Sequence, residues 1–235
     1  MQTELLTYSH DGEDFDVFVA HPDATETRPA VLVFHAWGGR DTFAEDKARA
    51  LAKLGYVGAA IDLYGIGKRG TDVASSEALM TGLLSDPAKL RSRLERAHAV
   101  VAALSTADAD CMGAIGYCFG GLCAILSARM GLPLRGVVSF HGLLKLGEPL
   151  DAKVQAQIMV QHGQDDPMVP PAEVGAFAAE MKRVNADWQL HAYPGVMHAF
   201  TNPQANDPGF GAVYNEDATH RSWMEMRRFF EDTLV

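Results

Sequence analysis

The feature that most constrains this chain is an alternation: short, continuous apolar runs, each followed by a segment with helical spacing. The runs are Ala30-Val31-Leu32-Val33-Phe34-His35, Tyr56 to Leu63, Cys111 to Tyr117, Leu134 to Phe140 and Gln157 to His162. A strand apolar at consecutive positions has to be covered on both faces, as parallel strands joined by helical crossovers are. Between the runs, Thr42-Phe43-Ala44-Glu45 reads as a capping box, Ala44, Ala48 and Leu51 follow on one face, and Gly55 suits the helix end. Residues 72–84 are expected to hold a short helix. Asp86-Pro87 starts another, with Leu90, Leu94, Ala97, Val101 and Leu104 along one stripe. Helices are also expected over 119–130, through Val174, Phe177 and Met181, and through Trp223, Met226, Phe230 and Leu234. Phe15 to Ala20, after an Asp11-Gly12 turn, and Trp188 to Tyr193 complete the strands. The pattern implies an α/β fold, a mostly parallel central sheet with helices on both faces. In such a sheet, ligands bind beyond the carboxyl ends of the strands, so residues at those ends are the ones to read chemically.

At 235 residues, 48% hydrophobic and 21% charged, the chain is expected to form a single domain, 1–235, with a full core. Its net charge of −10 offers neither nucleic acid nor an anionic membrane a basic patch. No apolar stretch reaches spanning length, and Met1 to Leu6 lacks the basic end and apolar run of a secretory signal. A cytoplasmic protein, monomeric or a small homo-oligomer, is expected. Cys111, Cys118 and Cys123 are odd in number and clustered, a poor disulfide framework without a zinc-type C-x-x-C pair.

Gly116-Tyr117-Cys118-Phe119-Gly120 matches G-x-nucleophile-x-G, with an apolar strand before it and a helix after it. Such a turn strains the nucleophile's backbone, and glycines on either side remove Cβ atoms that would clash. A thiol at a helix N-terminus is favoured as thiolate. Cys118 is therefore the expected nucleophile; the plainer alternative is a small apolar residue in a tight turn. The acid and then the base should follow in chain order. Asp166, in His162-Gly163-Gln164-Asp165-Asp166-Pro167-Met168-Val169-Pro170, is the expected acid, with Asp165 as the fallback. His198, in Tyr193-Pro194-Gly195-Val196-Met197-His198, is the expected base. Oxyanion donors are expected from the backbone N–H of Phe119 and of Trp37, in the loop His35-Ala36-Trp37-Gly38-Gly39. Neither G-x-x-x-x-G-K-[ST] nor G-x-G-x-x-G occurs, and no cofactor is expected.

The three motifs around Cys118, Asp166 and His198 resemble the dienelactone hydrolase family over nearly the whole chain. The resemblance implies an α/β-hydrolase fold, a Cys-His-Asp triad on Cys118, His198 and Asp166, and oxyanion donors at Trp37 and Phe119. It also marks two departures. Dienelactone hydrolases proper carry a glutamate where this chain has Ala36, with His35 adjacent as a partial substitute. They carry a carboxylate-binding arginine near the place of Asn202. Losing that bidentate fork points to a small neutral or differently charged ester or lactone rather than dienelactone. Lys68, Arg69 or Arg91 could supply a replacement cation. His141 and Tyr64 are expected to face the pocket together with His35, Ala36 and Asn202, and the loop 202–214 either closes over the site or is a plain surface connection.

Two other readings compete. His35, His141, His162 and His198 all fall at strand ends and could hold zinc, though no metal-binding motif accompanies them and no metal is expected. A non-catalytic small-molecule binder or sensor on the same fold is the other.

Overall fold

A computed structural model describes residues 1–23, 26–145, 147–148 and 152–234. The chain forms two compact units, Met1–Ile115 and Gly116–Val235.

The first unit contains β1 (Gln2–His10), β2 (Glu13–His21), β3 (Arg28–Phe34), α1 (Thr42–Lys53), β4 (Val57–Ile61), α2 (Val73–Leu84) and α3 (Pro87–Ala102). It also holds most of β5 (Ala107–Tyr117), which carries the chain into the second unit. Its strands run β1-β2-β4-β3. The pairs β1/β2 and β2/β4 are antiparallel, and β3/β4 is parallel. Strands β3 and β4 are buried along almost their whole length, as their unbroken apolar sequences require. Sequence pattern did not reveal β1. It is an edge strand whose first four residues are exposed, so no buried face imposes an alternation there. The Asp11-Gly12 turn closes the hairpin, with both residues at positive φ (50° and 75°) as a two-residue I′-type turn needs.

Helix α1 begins one residue earlier than a capping box at Thr42 implies. Asp41 is the cap, its side chain accepting from Ala44 N–H at 3.1 Å. Glu45 instead turns to Arg40 and Arg49. Gly55 does follow the helix end, at φ 99°. At Gly58 a Cβ would lie 2.3 Å from the Ala48 carbonyl, so only glycine lets α1 lie this close on β4. Asp72 and Asp86 cap α2 and α3, the latter with Pro87 in its first turn.

The second unit contains α4 (Phe119–Arg129), β6 (Gly136–Phe140), β7 (Gln157–Gly163), α5 (Pro171–Arg183), β8 (Trp188–Tyr193), β9 (Asn206–Asp207), β10 (Ala212–Val213) and α6 (Glu216–Thr233). Strands β6, β7 and β8 are parallel neighbours in that order. Their carboxyl ends open into the loops that begin at residues 141, 164 and 194. This mostly parallel sheet with helices is the fold class implied by the alternation of runs. Among the described residues, no helix is long and apolar enough to cross a membrane.

Candidate active site

Strand β5 ends at Tyr117, and α4 starts at Phe119. Cys118 between them has φ 56° and ψ −118°, a conformation that non-glycine residues seldom adopt. Its N–H donates to the Phe140 carbonyl at 3.1 Å, and its carbonyl accepts from Gly121 N–H at 3.0 Å. The glycines have steric reasons to be there. A Cβ on Gly116 would meet the Gly120 carbonyl oxygen at 1.9 Å, and one on Gly121 would meet Ser139 Oγ at 2.5 Å and Gly142 Cα at 2.6 Å. The thiol at the turn is partly exposed, whereas Cys111 and Cys123 are buried. Burial first, and then the charge on Cys118, drive the Cys123 thiol well above its ordinary pKa, so Cys123 is held neutral.

Asp166 and His198 come together in this unit. His198 Nδ1 lies 2.7 Å from Asp166 Oδ2, both side chains buried. The other carboxylate oxygen accepts from Met168 N–H at 2.8 Å. With one oxygen committed to a backbone donor, the carboxylate accepts from Nδ1–H and leaves Nε2 to face chemistry. Asp165, the fallback, is exposed. Nε2 of His198 is buried and has no conventional hydrogen-bond partner. What acts on the ring is Cys118, through its charge and through a contact of its sulfur. Burial opposes the imidazolium, but the Cys118 charge, then the hydrogen bond to Asp166, outweigh it and push His198 up to about 10. His162, also buried beside this pair, is shifted the other way: burial lowers its pKa, Asp166 raises it and His198 lowers it further.

The loop 202–214 is a clamp on His198. The N–H of His198 donates to the Gly211 carbonyl at 2.9 Å, and its carbonyl accepts from Val213 N–H at 3.0 Å. Strands β9 and β10 pair within the loop and fix its shape. Sequence reasoning missed Thr201 and Gly211. Gly211 is marked only by its place in a Pro/Gly-rich stretch, and Thr201 by nothing.

The expected pocket residues make local contacts. Asn202 turns its side-chain oxygen to its own loop, accepting from Gln204 N–H at 3.0 Å. His141 is 3% exposed, its Nε2 2.7 Å from Thr201 Oγ1. It packs edge-on against His198, with ring centroids 5.1 Å apart.

In the first unit, His35 is buried and both its ring nitrogens are engaged. Its Nε2 accepts from Leu63 N–H at 3.2 Å, so Nδ1 carries the proton and donates to the Ala36 carbonyl at 2.6 Å. Burial, with Arg69 and Arg40 nearby, lowers its pKa to about 4 despite the Ala36 hydrogen bond. Tyr64 packs on the His35 ring and donates to the Trp37 carbonyl at 2.9 Å. Gly38 accepts from Gly70 N–H at 2.9 Å. The loop bearing Ala36 and Trp37 is thus held by three successive carbonyls. The candidate cations have partners too: Lys68 pairs with Glu13, Arg69 with Asp62 at 3.3 Å, and Arg91 with Glu95 at 2.9 Å. Among the described residues, no group of three or more His, Cys, Asp or Glu side chains is arranged to hold a metal ion.

Comparison with known proteins agrees with this architecture. The dienelactone hydrolase family model matches residues 15–234. A probable 2-oxo-3-(5-oxofuran-2-ylidene)propanoate lactonase of Bradyrhizobium is 30% identical over 200 residues, spanning 80% of each chain. A putative carboxymethylenebutenolidase of Synechocystis is 25% identical over 248 residues, spanning 100% of this chain and 98% of its own. A dienelactone hydrolase-like promiscuous phosphotriesterase from metagenomic libraries superposes with a TM-score of 0.95 at 31% identity, over 100% of this chain and 99% of its own. Fold and relatives define a class, the carboxylic ester hydrolases of α/β-hydrolase type. Within it, the chain belongs to the dienelactone hydrolase family.

Proposed function

We propose that Cys118 is the nucleophile of a Cys-His-Asp triad that hydrolyses a small ester or lactone through an acyl-thioester. One observation carries this reading: a strained, partly exposed thiol opens α4, and its charge is what most raises the pKa of a buried histidine paired with Asp166. With Cys118 as thiolate and His198 as imidazolium, the sulfur adds to the substrate carbonyl. The carbonyl electrons move onto oxygen, then return to expel the alkoxide, which takes the proton from His198. Water then loses a proton to neutral His198, adds to the thioester and releases the acid, restoring the thiolate. Asp166 keeps the ring oriented and favours its charged form. Phe119 N–H, at the first position of α4, and Trp37 N–H are the proposed oxyanion donors. For the latter, the carbonyl of the same peptide unit, Ala36, is fixed by His35 and Gly39, so the N–H direction is fixed as well.

The substrate proposed is a neutral ester or lactone. What supports this is that the Asn202 side-chain oxygen accepts within its own loop and that Lys68, Arg69 and Arg91 each already pair with a carboxylate. One α/β-hydrolase domain, acting in the cytoplasm, is the organisation we propose, supported by a family match that spans both units. The test is a panel of aryl esters, neutral lactones, a carboxylate-bearing lactone, a thioester and a phosphotriester, run on wild type and Cys118→Ala. Turnover of the neutral carbonyl substrates, abolished in Cys118→Ala, is expected. Turnover that survives Cys118→Ala would sink the thiol mechanism, and preference for the carboxylate-bearing lactone would sink the substrate class.

A further inference from the structure

The ring of His198 is held from a side that no step of the proposed chemistry uses. His141 follows β6 with φ 38°, a left-handed conformation that few non-glycine residues adopt, asparagine, aspartate and histidine more often than most. Its N–H donates to the Gln161 carbonyl at 2.8 Å, so this backbone is anchored to β7. The ring is turned inward, edge-on to His198 at 5.1 Å and to Phe200 at 5.2 Å between centroids. Its Nε2 meets the buried hydroxyl of Thr201 at 2.7 Å. Thr201 lies on the same loop as His198, three residues further on, and Ala199 between them is itself left-handed at φ 54°.

Backbone bonds to Gly211 and Val213 fix where His198 starts, but they leave its two side-chain torsions open. Asp166 fixes one ring nitrogen, and a single hydrogen bond still permits the ring to tilt about it. The His141 ring, packed edge-on against His198, opposes that tilt. We propose that the His141–Thr201 hydrogen bond positions the His198 imidazole toward Cys118, so that His141 and Thr201 act on catalysis through His198 without touching substrate. This rests on the triad reading above. Packing alone does not call for the pair. A phenylalanine against a valine would fill similar space, whereas a buried hydroxyl and a buried ring nitrogen are costly unless they bond to each other. Removing the hydroxyl by an isostere leaves the His141 nitrogen unsatisfied and so costs stability as well, which is why rate and thiol reactivity are read beside the melting temperature.

The experiment compares Thr201→Val, which keeps shape and loses the hydroxyl, with Thr201→Ser, which keeps the hydroxyl. Two readouts are taken: kcat and KM on an activated aryl ester, and the pH profile of Cys118 alkylation by iodoacetamide. Alkylation depends on the thiolate and its imidazolium partner. The titratable groups facing that imidazole are Cys118, Asp166, His162 and His141. Thr201→Val is expected to lower kcat about ten-fold, with KM within about two-fold, because a slightly misplaced base costs rate rather than binding. Its alkylation midpoint is expected to move up by roughly half a pH unit as the ion pair weakens. Thr201→Ser is expected to restore both readouts. The proposal is overturned if Thr201→Val matches wild type in both, if Thr201→Ser is as impaired as Thr201→Val, or if only the melting temperature changes. Should Thr201→Val fail to fold, His141→Asn, which tolerates the left-handed backbone but is shorter, is expected to show the same two changes, and unchanged readouts there overturn the proposal equally. Retained turnover in Cys118→Ala would instead remove the triad reading, so the two failures are distinguishable.

Discussion

Gly211 is the position where a single methyl group should separate the two loops of the site. Its φ is 83°, and a Cβ there would sit 2.1 Å from Pro167 Cγ and 2.8 Å from Cδ. Carbon atoms rest at about 3.5–4.0 Å, so Gly211→Ala requires the two segments to part by roughly 1.5 Å. Neither segment can move without consequence. Pro167 follows Asp166, and the Gly211 carbonyl holds the N–H of His198, while Asp166 and His198 meet at 2.7 Å. A displacement of about 1 Å in such a pair costs on the order of 10²-fold in rate. The stability cost combines about 1–2 kcal/mol for the left-handed backbone and about 1–3 kcal/mol for overpacking. A gain of about 0.4–1 kcal/mol from a stiffer unfolded chain offsets part of it. The net expectation is a loss of roughly 1–4.5 kcal/mol and a fall in kcat/KM of about 10²-fold. The assay is aryl ester hydrolysis with urea denaturation alongside. Two controls separate the contributions. Gly195→Ala shares the left-handed φ (74°) but meets nothing within 4 Å, so it should lose stability and keep rate. At Gly209→Ala the nearest atom is Asp207 Oδ1 at 3.4 Å and no left-handed φ is involved, so both properties should stay near wild type. A Gly211→Ala enzyme within two-fold of Gly209→Ala (roughly the scatter of such assays, against the about 10²-fold expected) would refute the reasoning.

Asp166→Asn should lower kcat by about 10²–10⁴-fold, because an amide has one acceptor oxygen for the two donors that the carboxylate serves, Met168 N–H and His198 Nδ1–H; steady-state kinetics on an aryl ester checks it. The pKa of His198 is raised from 6.5 to about 10, so the contribution of its charged form to stability is complete below about 6.5 and is lost as pH rises through about 10. Cys118→Ala removes the largest raising influence, and an NMR titration should find His198 markedly lower in that variant; an unchanged value would contradict the coupling. In the first unit, Arg40 forms a buried two-pronged pair with Asp16 at 2.9 Å on each prong. Arg40→Met should therefore destabilise in urea denaturation, by less than the about 3–5 kcal/mol of a fully stranded buried charge, since Arg69 stays 3.7 Å from Asp16.

The fold was legible wherever burial leaves a continuous apolar run. Strands β3 to β7 stood out for that reason, and the hairpin partner β1 did not, because its outward positions bury nothing. The placement of Cys118, Asp166 and His198 was readable because each follows a strand at its carboxyl end, where topology rather than composition decides the position. Sequence could not choose the cap of α1, since Asp41 and Thr42 are both good caps and only the backbone angle distinguishes them. It could not show which way His35, Asn202 and the candidate cations point either. Each has a plausible ligand-binding chemistry, and each is used locally instead, on Ala36 and Leu63, on Gln204, and on Glu13, Asp62 and Glu95. Thr201 carries no signal in the sequence, because its contact with His141 joins segments 60 residues apart.

The central claim is that a covalent bond forms to the sulfur of Cys118, and mass spectrometry of the enzyme quenched during turnover of a slowly hydrolysed aryl ester tests it most directly. The account predicts a mass increase equal to one acyl group, mapped to the peptide containing Cys118, lost on treatment with hydroxylamine and missing in Cys118→Ala. Turnover without any adduct, or an adduct on another residue, would contradict it.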